Sequence, residues 1–170
     1  PFVLFNLGMT HADAGQHQQA VQYLSRCVEV STPQESHLRK AYALLIGSLM
    51  QLRHWDHARQ SCTDSLQLFP GDKELLFRQA MLFHQQGQLR EAEQTYLRIL
   101  SEQTQRHFTS IDQGLSNHKA RHNLAIVYED LGQYDDAITQ WQTILQHRPD
   151  YTPALQALKM RTPSVKGAVP

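Results

Sequence analysis

The amino-acid sequence repeats one arrangement of small and large side chains four times, and this repetition restricts the fold more than any other feature. One alanine anchors each copy, and the four are Ala20, Ala58, Ala92 and Ala137. A large or sulfur-containing side chain stands four positions after each alanine, namely Leu24, Cys62, Tyr96 and Trp141. A glycine lies five positions before three of the alanines, at Gly15, Gly87 and Gly132. Such self-similarity predicts several like structural units stacked in series.

Each copy is typical of two helices joined by a tight turn. Glycine reaches the left-handed conformation that ends a helix at little cost, so the three glycines mark the turns. Alanine is needed where two helices approach closely, because a larger side chain would overpack at a cost of about 1–3 kcal/mol. Asp56, Glu91 and Asp135 then fall in the first turn of a second helix, where the helix dipole favours negative charge. One apolar side of each pair needs the next copy to cover it, which predicts a solenoid.

These residues resemble the tetratricopeptide repeat, whose pattern is L-G-x2-Y, A-x3-F, P. Leu7 and Gly8, the four alanines, and Pro70 and Pro149 carry the likeness, which extends over about 150 residues. Arg53 replaces the turn glycine of the second copy. The resemblance implies an all-α, right-handed superhelical solenoid of four helix pairs with a C-terminal capping helix. The expected repeats span about 1–32, 33–71, 72–105 and 118–151, and the expected capping helix spans 153–161.

Two spacings between the alanines exceed the family's unit length. Four extra residues precede the second copy, where Thr32 to Glu35 read as an N-cap, a first-turn proline and a capping-box glutamate. We therefore expect a helix from near Pro33 to about Leu52. The second excess is an insertion at about 106–117, for which a short packed helix and a mobile polar loop both remain open. Residues 162–170 are expected to form a disordered tail.

Composition excludes several classes of partner and site. The sixteen basic and sixteen acidic residues cancel in net charge. The chain therefore has no overall positive potential to attract nucleic acid or an anionic membrane. No apolar run approaches the roughly 20 residues that span a bilayer, and no signal segment opens the chain. Cys27 and Cys62 lack the spacing of a disulfide framework or zinc knuckle and read as small buried residues. Because the chain starts inside a helical pattern without methionine, we interpret it as a piece of a longer protein. We expect a cytoplasmic location.

The family resemblance implies that the first helix of each pair lines a concave surface. That surface combines an apolar floor with asparagine, lysine and arginine side chains, which suits an extended peptide or a partner protein. The candidate partner-binding residues are Asn6, Met9, Lys40, Met50, Phe77, Arg78, Met81, Lys119, His122 and Asn123. The alternative interpretation is that some of the large apolar residues on this surface are half-buried between adjacent helices. A clean clamp for a terminal carboxylate is not expected, because Phe5 and Met9 occupy places where polar groups are needed.

Metal and catalytic sites have little support in the sequence. His118 and His122 are four apart and His54 and His57 are three apart, but neither pair has the further ligands that zinc requires. There is no glycine-rich phosphate loop, nucleophile elbow or histidine-glutamate metal motif. We therefore predict no cofactor, no metal and no catalysis by this chain.

A narrower resemblance bears on the context of the chain. The segments PFVLFNLGMT, ESHLRKAYALL and KARHNLAIVYEDLGQY are similar to the repeat region attached to bacterial family 2 glycosyltransferases. This resemblance implies an adjoining catalytic domain, for which the repeats would position an acceptor or partner. Three functions are thus open: a protein-interaction module, an accessory domain of a glycosyltransferase, and a structural or homo-oligomerisation spacer.

Overall fold

The computed structural model describes residues 1–101 and 118–161, except for the side chain of Arg161. All regular secondary structure in these residues is helical, which confirms the predicted all-α class. The helices are α1 (Phe2–Asp13), α2 (His17–Val30), α3 (Leu38–Gln51), α4 (Trp55–Leu68), α5 (Lys73–Gln85), α6 (Leu89–Ser101), α7 (Ala120–Asp130), α8 (Tyr134–His147) and α9 (Thr152–Arg161). The predicted insertion at about 106–117 and the predicted tail at 162–170 lie outside the described residues.

Every helix pair is joined by a three-residue turn of the same construction. The middle residue of each turn has a left-handed backbone, with φ of 71° at Gly15, 57° at Arg53, 73° at Gly87 and 73° at Gly132. In the first turn the Gln16 N–H donates to the His11 carbonyl at 2.8 Å, and the Gly15 N–H donates to the Ala12 carbonyl at 3.1 Å. This is a Schellman arrangement, which satisfies carbonyl groups left open at the helix end. Arg53 adopts the glycine conformation although it carries a side chain.

The chain divides into an N-terminal unit, residues 1–95, and a C-terminal unit, residues 96–170, with the boundary inside α6. In the N-terminal unit α1, α3 and α5 pack side by side, and α2 and α4 pack against them. We call α1, α3 and α5 the first layer and α2 and α4 the second layer. Their core includes Ala20 and Ala58, both fully buried, together with Leu24, Ile46 and Leu75. The two anchoring alanines therefore lie at the helix contacts that the repeat pattern predicts.

The C-terminal unit contains the pair α7 and α8, with α9 packed on α8. Ala137 is fully buried, and Trp141 and Ile144 form a cluster with Ala125 of α7 and Ala154 of α9. The Trp141 indole N–H donates to the Glu129 carboxylate at 3.2 Å, so its polar edge is satisfied while its ring is buried. Helix α9 thus covers the apolar side of α8.

The predicted early start of the helix in the second copy is wrong, because α3 begins at Leu38 and residues 33–37 form turns. The capping bond itself forms: the Thr32 N–H donates to the Glu35 carboxylate at 2.7 Å. The Glu35 N–H also donates to the Thr32 carbonyl at 3.0 Å, and the first helical bond runs from the Ala41 N–H to the His37 carbonyl. The cap signal therefore stabilises an isolated turn ahead of α3.

Replacing Arg53 with glycine should stabilise the N-terminal unit. Left-handed geometry costs a non-glycine residue roughly 1–2 kcal/mol, and the greater freedom of glycine in the unfolded chain offsets about half of that. We expect a gain of up to about 1 kcal/mol in the free energy of unfolding, measured by urea denaturation. Gly132→Ala, the reverse change in an equivalent turn, should destabilise the chain. A loss of stability in Arg53→Gly would contradict this account.

Replacing Ala137 with leucine should destabilise the C-terminal unit by about 1–3 kcal/mol, because the added atoms enter a fully packed helix contact. Thermal unfolding followed by circular dichroism measures the effect. Gln142→Leu, at an exposed position of the same helix, is the matched control and should change the melting temperature little. Equal melting temperatures for the two variants would contradict a tight helix contact at Ala137.

Candidate functional site

The candidate residues of the N-terminal unit differ in how much of each residue is exposed to solvent. All lie on the first layer, but Met50 and Phe77 are only 4% and 8% exposed. Met50 packs within the core, so it has little surface to offer a partner. Asn6, Lys40 and Arg78 are partly exposed, as are Met9 and Met81, which rest on the same core. These last five residues form the accessible first-layer surface. A binding role for any of the residues stays a prediction.

Lys40 belongs to a charged network that joins α3 to α5. Its ammonium group lies 2.5 Å from the Glu74 carboxylate, and the Arg39 guanidinium lies 3.1 Å from Asp72 and 3.5 Å from Glu74. Asp72 also caps α5 by accepting the Leu75 N–H at 3.0 Å. The two acids are largely buried, so these ion pairs fix the ends of α3 and α5 together. Sequence reasoning missed both acids because their partners are more than thirty positions away in the chain.

Arg78 is a largely desolvated cation on the first-layer surface. Its guanidinium lies against α3, where a methyl group added to Gly47 would be 3.3 Å from Nη1. Burial lowers the pKa of Arg78, and the negative charge of Glu74 opposes that shift. Its buried Nε–H has no hydrogen-bond partner in the described part of the chain. The residue as a whole is partly exposed, so a ligand oxygen beside its accessible atoms would meet a weakly hydrated positive charge.

Cys62 does not neutralise this arginine. Burial raises the pKa of the Cys62 thiol to about 12, and the nearby Arg78 charge offsets only part of that shift. The thiol is consequently protonated near neutral pH and is a poor nucleophile. Cys62 acts as a small packed residue beneath Arg78.

The C-terminal unit contains the other three candidates. Lys119 is exposed, whereas Asn123 donates its amide N–H to the Tyr96 hydroxyl at 3.0 Å. Tyr96 is fully buried, and burial raises its pKa while the hydrogen bond from Asn123 opposes the shift. Asn123 therefore connects α7 to α6, and its amide already has a partner within the protein.

His122 is engaged in an aromatic cluster that also contains His118. The His122 Nδ1 lies 3.0 Å from the Tyr151 hydroxyl, and its ring meets Trp141 edge-on at 5.0 Å. The Arg148 guanidinium donates to His118 Nε2 at 2.9 Å. Both imidazoles contact the ring of Tyr151, at centroid distances of 5.6 and 5.8 Å. The two histidines thus hold the segment that leads into α9, a role that their spacing alone did not indicate.

The described residues meet the requirements of neither a metal site nor a membrane-spanning helix. No group of three histidine, cysteine or carboxylate side chains is placed to hold a metal ion within residues 1–101 and 118–160. None of the helices in those ranges combines the length and the apolar character that a bilayer crossing requires.

Comparison with known proteins assigns the family. Three family models, each described as tetratricopeptide repeat, match residues 3–32, 45–107 and 118–151, which together make up most of the chain. The chain belongs to the tetratricopeptide-repeat family. The matched segments agree with the repetition seen around the four alanines.

One curated relative of this tetratricopeptide-repeat chain is human sperm-associated antigen 1. The two are 28% identical over 88 residues, which is 52% of the present chain and 9% of the relative. The chain therefore spans less than a tenth of that protein.

Several solved structures share the fold. MamA superimposes with a TM-score of 0.70 at 14% identity, over 94% of this chain and 79% of its own. YrrB, described as a TPR protein with an unusual peptide-binding site, gives 0.70 at 18% identity, over 92% and 73%. A thermophilic TPR protein from Thermus thermophilus gives 0.73 at 17% identity, over 92% and 80%. At such low identities the likeness establishes the tetratricopeptide fold alone.

The C-terminal unit should lose stability as the pH falls below about 6.5. Burial lowers the pKa of His122 below that ordinary value, and the charge of His118 adds to the shift. In this window the unfolded chain binds more protons than the folded one, so acidification favours unfolding. His122→Gln should flatten the dependence of melting temperature on pH, measured from about pH 8 to pH 5.

His147→Gln is the control, because that histidine is exposed on α8. It should leave the slope of melting temperature against pH as in the wild type. A His122→Gln variant with an unaltered slope would show that this imidazole does not set the acid sensitivity.

Proposed function

We propose that the chain is a non-catalytic protein-interaction module that binds a peptide or partner protein on the first-layer surface of its N-terminal unit. The observation that carries the proposal is Arg78, a largely desolvated but partly exposed cation on the accessible first-layer surface. A ligand oxygen beside the accessible part of Arg78 would gain a charge-assisted interaction that water screens only weakly. The peptide-binding site named for YrrB, which shares the fold, supports the same kind of ligand.

The surroundings of Arg78 favour a ligand with both apolar and polar groups. Met9 and Met81 are partly accessible and unbranched, so they can adapt to an apolar side chain. Lys40 is paired with Glu74 and contributes little net charge. Arg78 is then the main cation of this surface, and Asn6 adds a neutral amide. A segment that presents one oxygen acceptor beside an apolar side chain fits this arrangement.

The proposal gives less weight to the C-terminal candidates. The side chains of His122 and Asn123 already bind Tyr151 and Tyr96. A ligand that used them would have to replace those hydrogen bonds, which are worth about 0.5–1.5 kcal/mol each. Lys119 is the exposed member of the three.

The whole protein's activity is a further proposal. A catalytic domain adjoining the repeats, such as a family 2 glycosyltransferase, remains a prediction from the narrower sequence resemblance. The family and structural matches add no support for it. If such a domain is present, the repeats would recruit or position its acceptor, and glycan binding by this chain alone would favour that function.

A second candidate, a homo-oligomerisation or spacer function, rests on exposed apolar residues near the first and last helices. Phe2 and Val3 of α1 are 60% and 70% exposed, and Leu155 and Met160 of α9 are 47% and 86% exposed. Leu158, in contrast, packs partly into the C-terminal core and is a poor position for testing association. Concentration-dependent dimerisation that Val3→Ser or Leu155→Ser abolishes would favour this function.

Arg78→Gln should weaken binding of a peptide selected from a random displayed library against the wild-type chain. A charge-assisted hydrogen bond contributes about 1.5–3 kcal/mol, so we expect a loss of roughly tenfold or more in affinity by fluorescence anisotropy. Arg26→Gln is the matched control, since Arg26 is an exposed arginine of α2 paired with Glu29. Unchanged affinity in Arg78→Gln would show that the first-layer surface is not where the selected peptide binds.

The variant Gly47→Ala should affect the stability of α3 and the binding at Arg78 in opposite directions. The new methyl group would press on the Arg78 guanidinium at 3.3 Å, whereas the helix interior gains about 0.5–1 kcal/mol from replacing glycine. We expect a melting temperature at or above that of the wild type with reduced peptide affinity. A variant that binds as well as the wild type would show that the position of Arg78 over Gly47 is unimportant.

A further inference from the structure

Two cavities adjoin on the second-layer side of the N-terminal unit. The first has a volume of about 320 Å³ and lies between α2 and α4, with Val21 and Leu49 among its apolar lining residues. The second has a volume of about 400 Å³ and lies beside the turn that precedes α4, where Arg53 and Arg59 line it. His54 and His57 line both cavities, so the two are neighbours and form an adjoining pair. We call this pair the second-layer cleft.

The cleft has an apolar end and a cationic end. Ser25, Ser61 and Gln60 add hydrogen-bonding groups around the apolar end. At the other end Asp56 lies 3.6 Å from Arg59 and is almost fully exposed, so solvent screens that pair strongly. No ion pair of Arg53 occurs within the described residues. An approaching acidic group therefore meets two guanidinium groups that the protein itself neutralises only in part.

The acidic side chains nearby limit where a negative ligand can lie. Asp64 accepts a hydrogen bond from Gln60 at 2.8 Å and stands one helical turn beyond it on α4. Negative charge is thus disfavoured toward Asp64 and favoured toward Arg53 and Arg59. This polarity gives a bound segment one preferred direction along α4.

The backbone of Arg53 is an independent observation that points to the same place. Its φ of 57° is the left-handed conformation that glycine provides in the three other turns. Strained residues of this kind concentrate at functional sites, where the surrounding structure holds them in the unfavourable conformation. The strained residue in this turn also lines the second-layer cleft.

We propose that the second-layer cleft docks an acidic peptide segment that carries one aliphatic side chain. The aliphatic group packs on Val21 and Leu49, and carboxylates beside it approach Arg53 and Arg59. His54 and His57 lie between the two ends and offer ring nitrogens to the peptide backbone. The site is separate from the first-layer surface around Arg78, so it gives the module a second contact with an acidic partner.

The test uses the full chain and three synthetic peptides with blocked ends. The first contains leucine between pairs of glutamates, the second replaces the glutamates with lysines, and the third replaces the leucine with glycine. Amide NMR titration of the isotope-labelled chain should give saturable shifts near Val21, His57 and Ser61 with the first peptide alone. Comparable binding of the lysine or glycine peptide would overturn the proposal, as would shifts confined to Gly47 and Arg78.

The decisive variant is Arg53→Gly combined with Arg59→Gln. Glycine suits the left-handed turn, so the guanidinium group is removed while the turn keeps its conformation. We expect at least about a fivefold loss of affinity for the first peptide, because two screened charge contacts are lost. Arg26→Gln, which removes an exposed charge of α2 outside the cleft, should leave the affinity unchanged. Unaltered binding by the double variant, or an equal loss in Arg26→Gln, would refute the docking site.

Discussion

The close approach of two helices at one alanine in each copy is the contact on which the rest of the structure depends. All four alanines are fully buried, and the residues four positions later, Leu24, Cys62, Tyr96 and Trp141, are at most 2% exposed. A side chain beyond Cβ at any of these points would force the pair apart and expose the neighbouring large residue. The same contact determines which faces of α1, α3 and α5 remain accessible. Core packing at the alanines is therefore what leaves room for Arg78 and Met81 on the first-layer surface.

The parts of the fold that could be predicted from the sequence are those fixed by local spacing. The helix pairs, their turns and the buried alanines follow from positions a few residues apart, where helical periodicity and turn chemistry act directly. The start of α3 could not be predicted, since the Thr32 to Glu35 cap forms equally well around an isolated turn. The pairing of Lys40 with Glu74 and the contact of His122 with Tyr151 depend on separations of about thirty residues, which only the packed structure reveals. Burial of Met50 was missed for the same reason, because a helical projection ignores the neighbouring helices.

Arg53 shows how a departure from the repeat pattern can carry information about function. From the sequence alone, an arginine at a glycine position reads as a weakened repeat. In the structure the turn keeps its geometry, so the cost is confined to the backbone of one residue. Its side chain lines a cavity together with the two histidines whose spacing had no explanation as a metal site. A fold can tolerate a strained turn because the core contacts at Ala58 and Leu49 hold both flanking helices in place.

The two surfaces of the N-terminal unit differ in the physics with which they would hold a ligand. Arg78 is only partly exposed and lies close to Glu74 and Gly47, so a hydrogen bond to it is screened less by salt than one to a fully exposed arginine. Arg53 and Arg59 are exposed, so their attraction to an acidic segment is weak at physiological ionic strength and acts mainly on the rate of encounter. One contact thus suits specific retention and the other suits initial capture. A partner with an acidic stretch connected to a segment for the first layer would use both, and the second binding step would then be intramolecular.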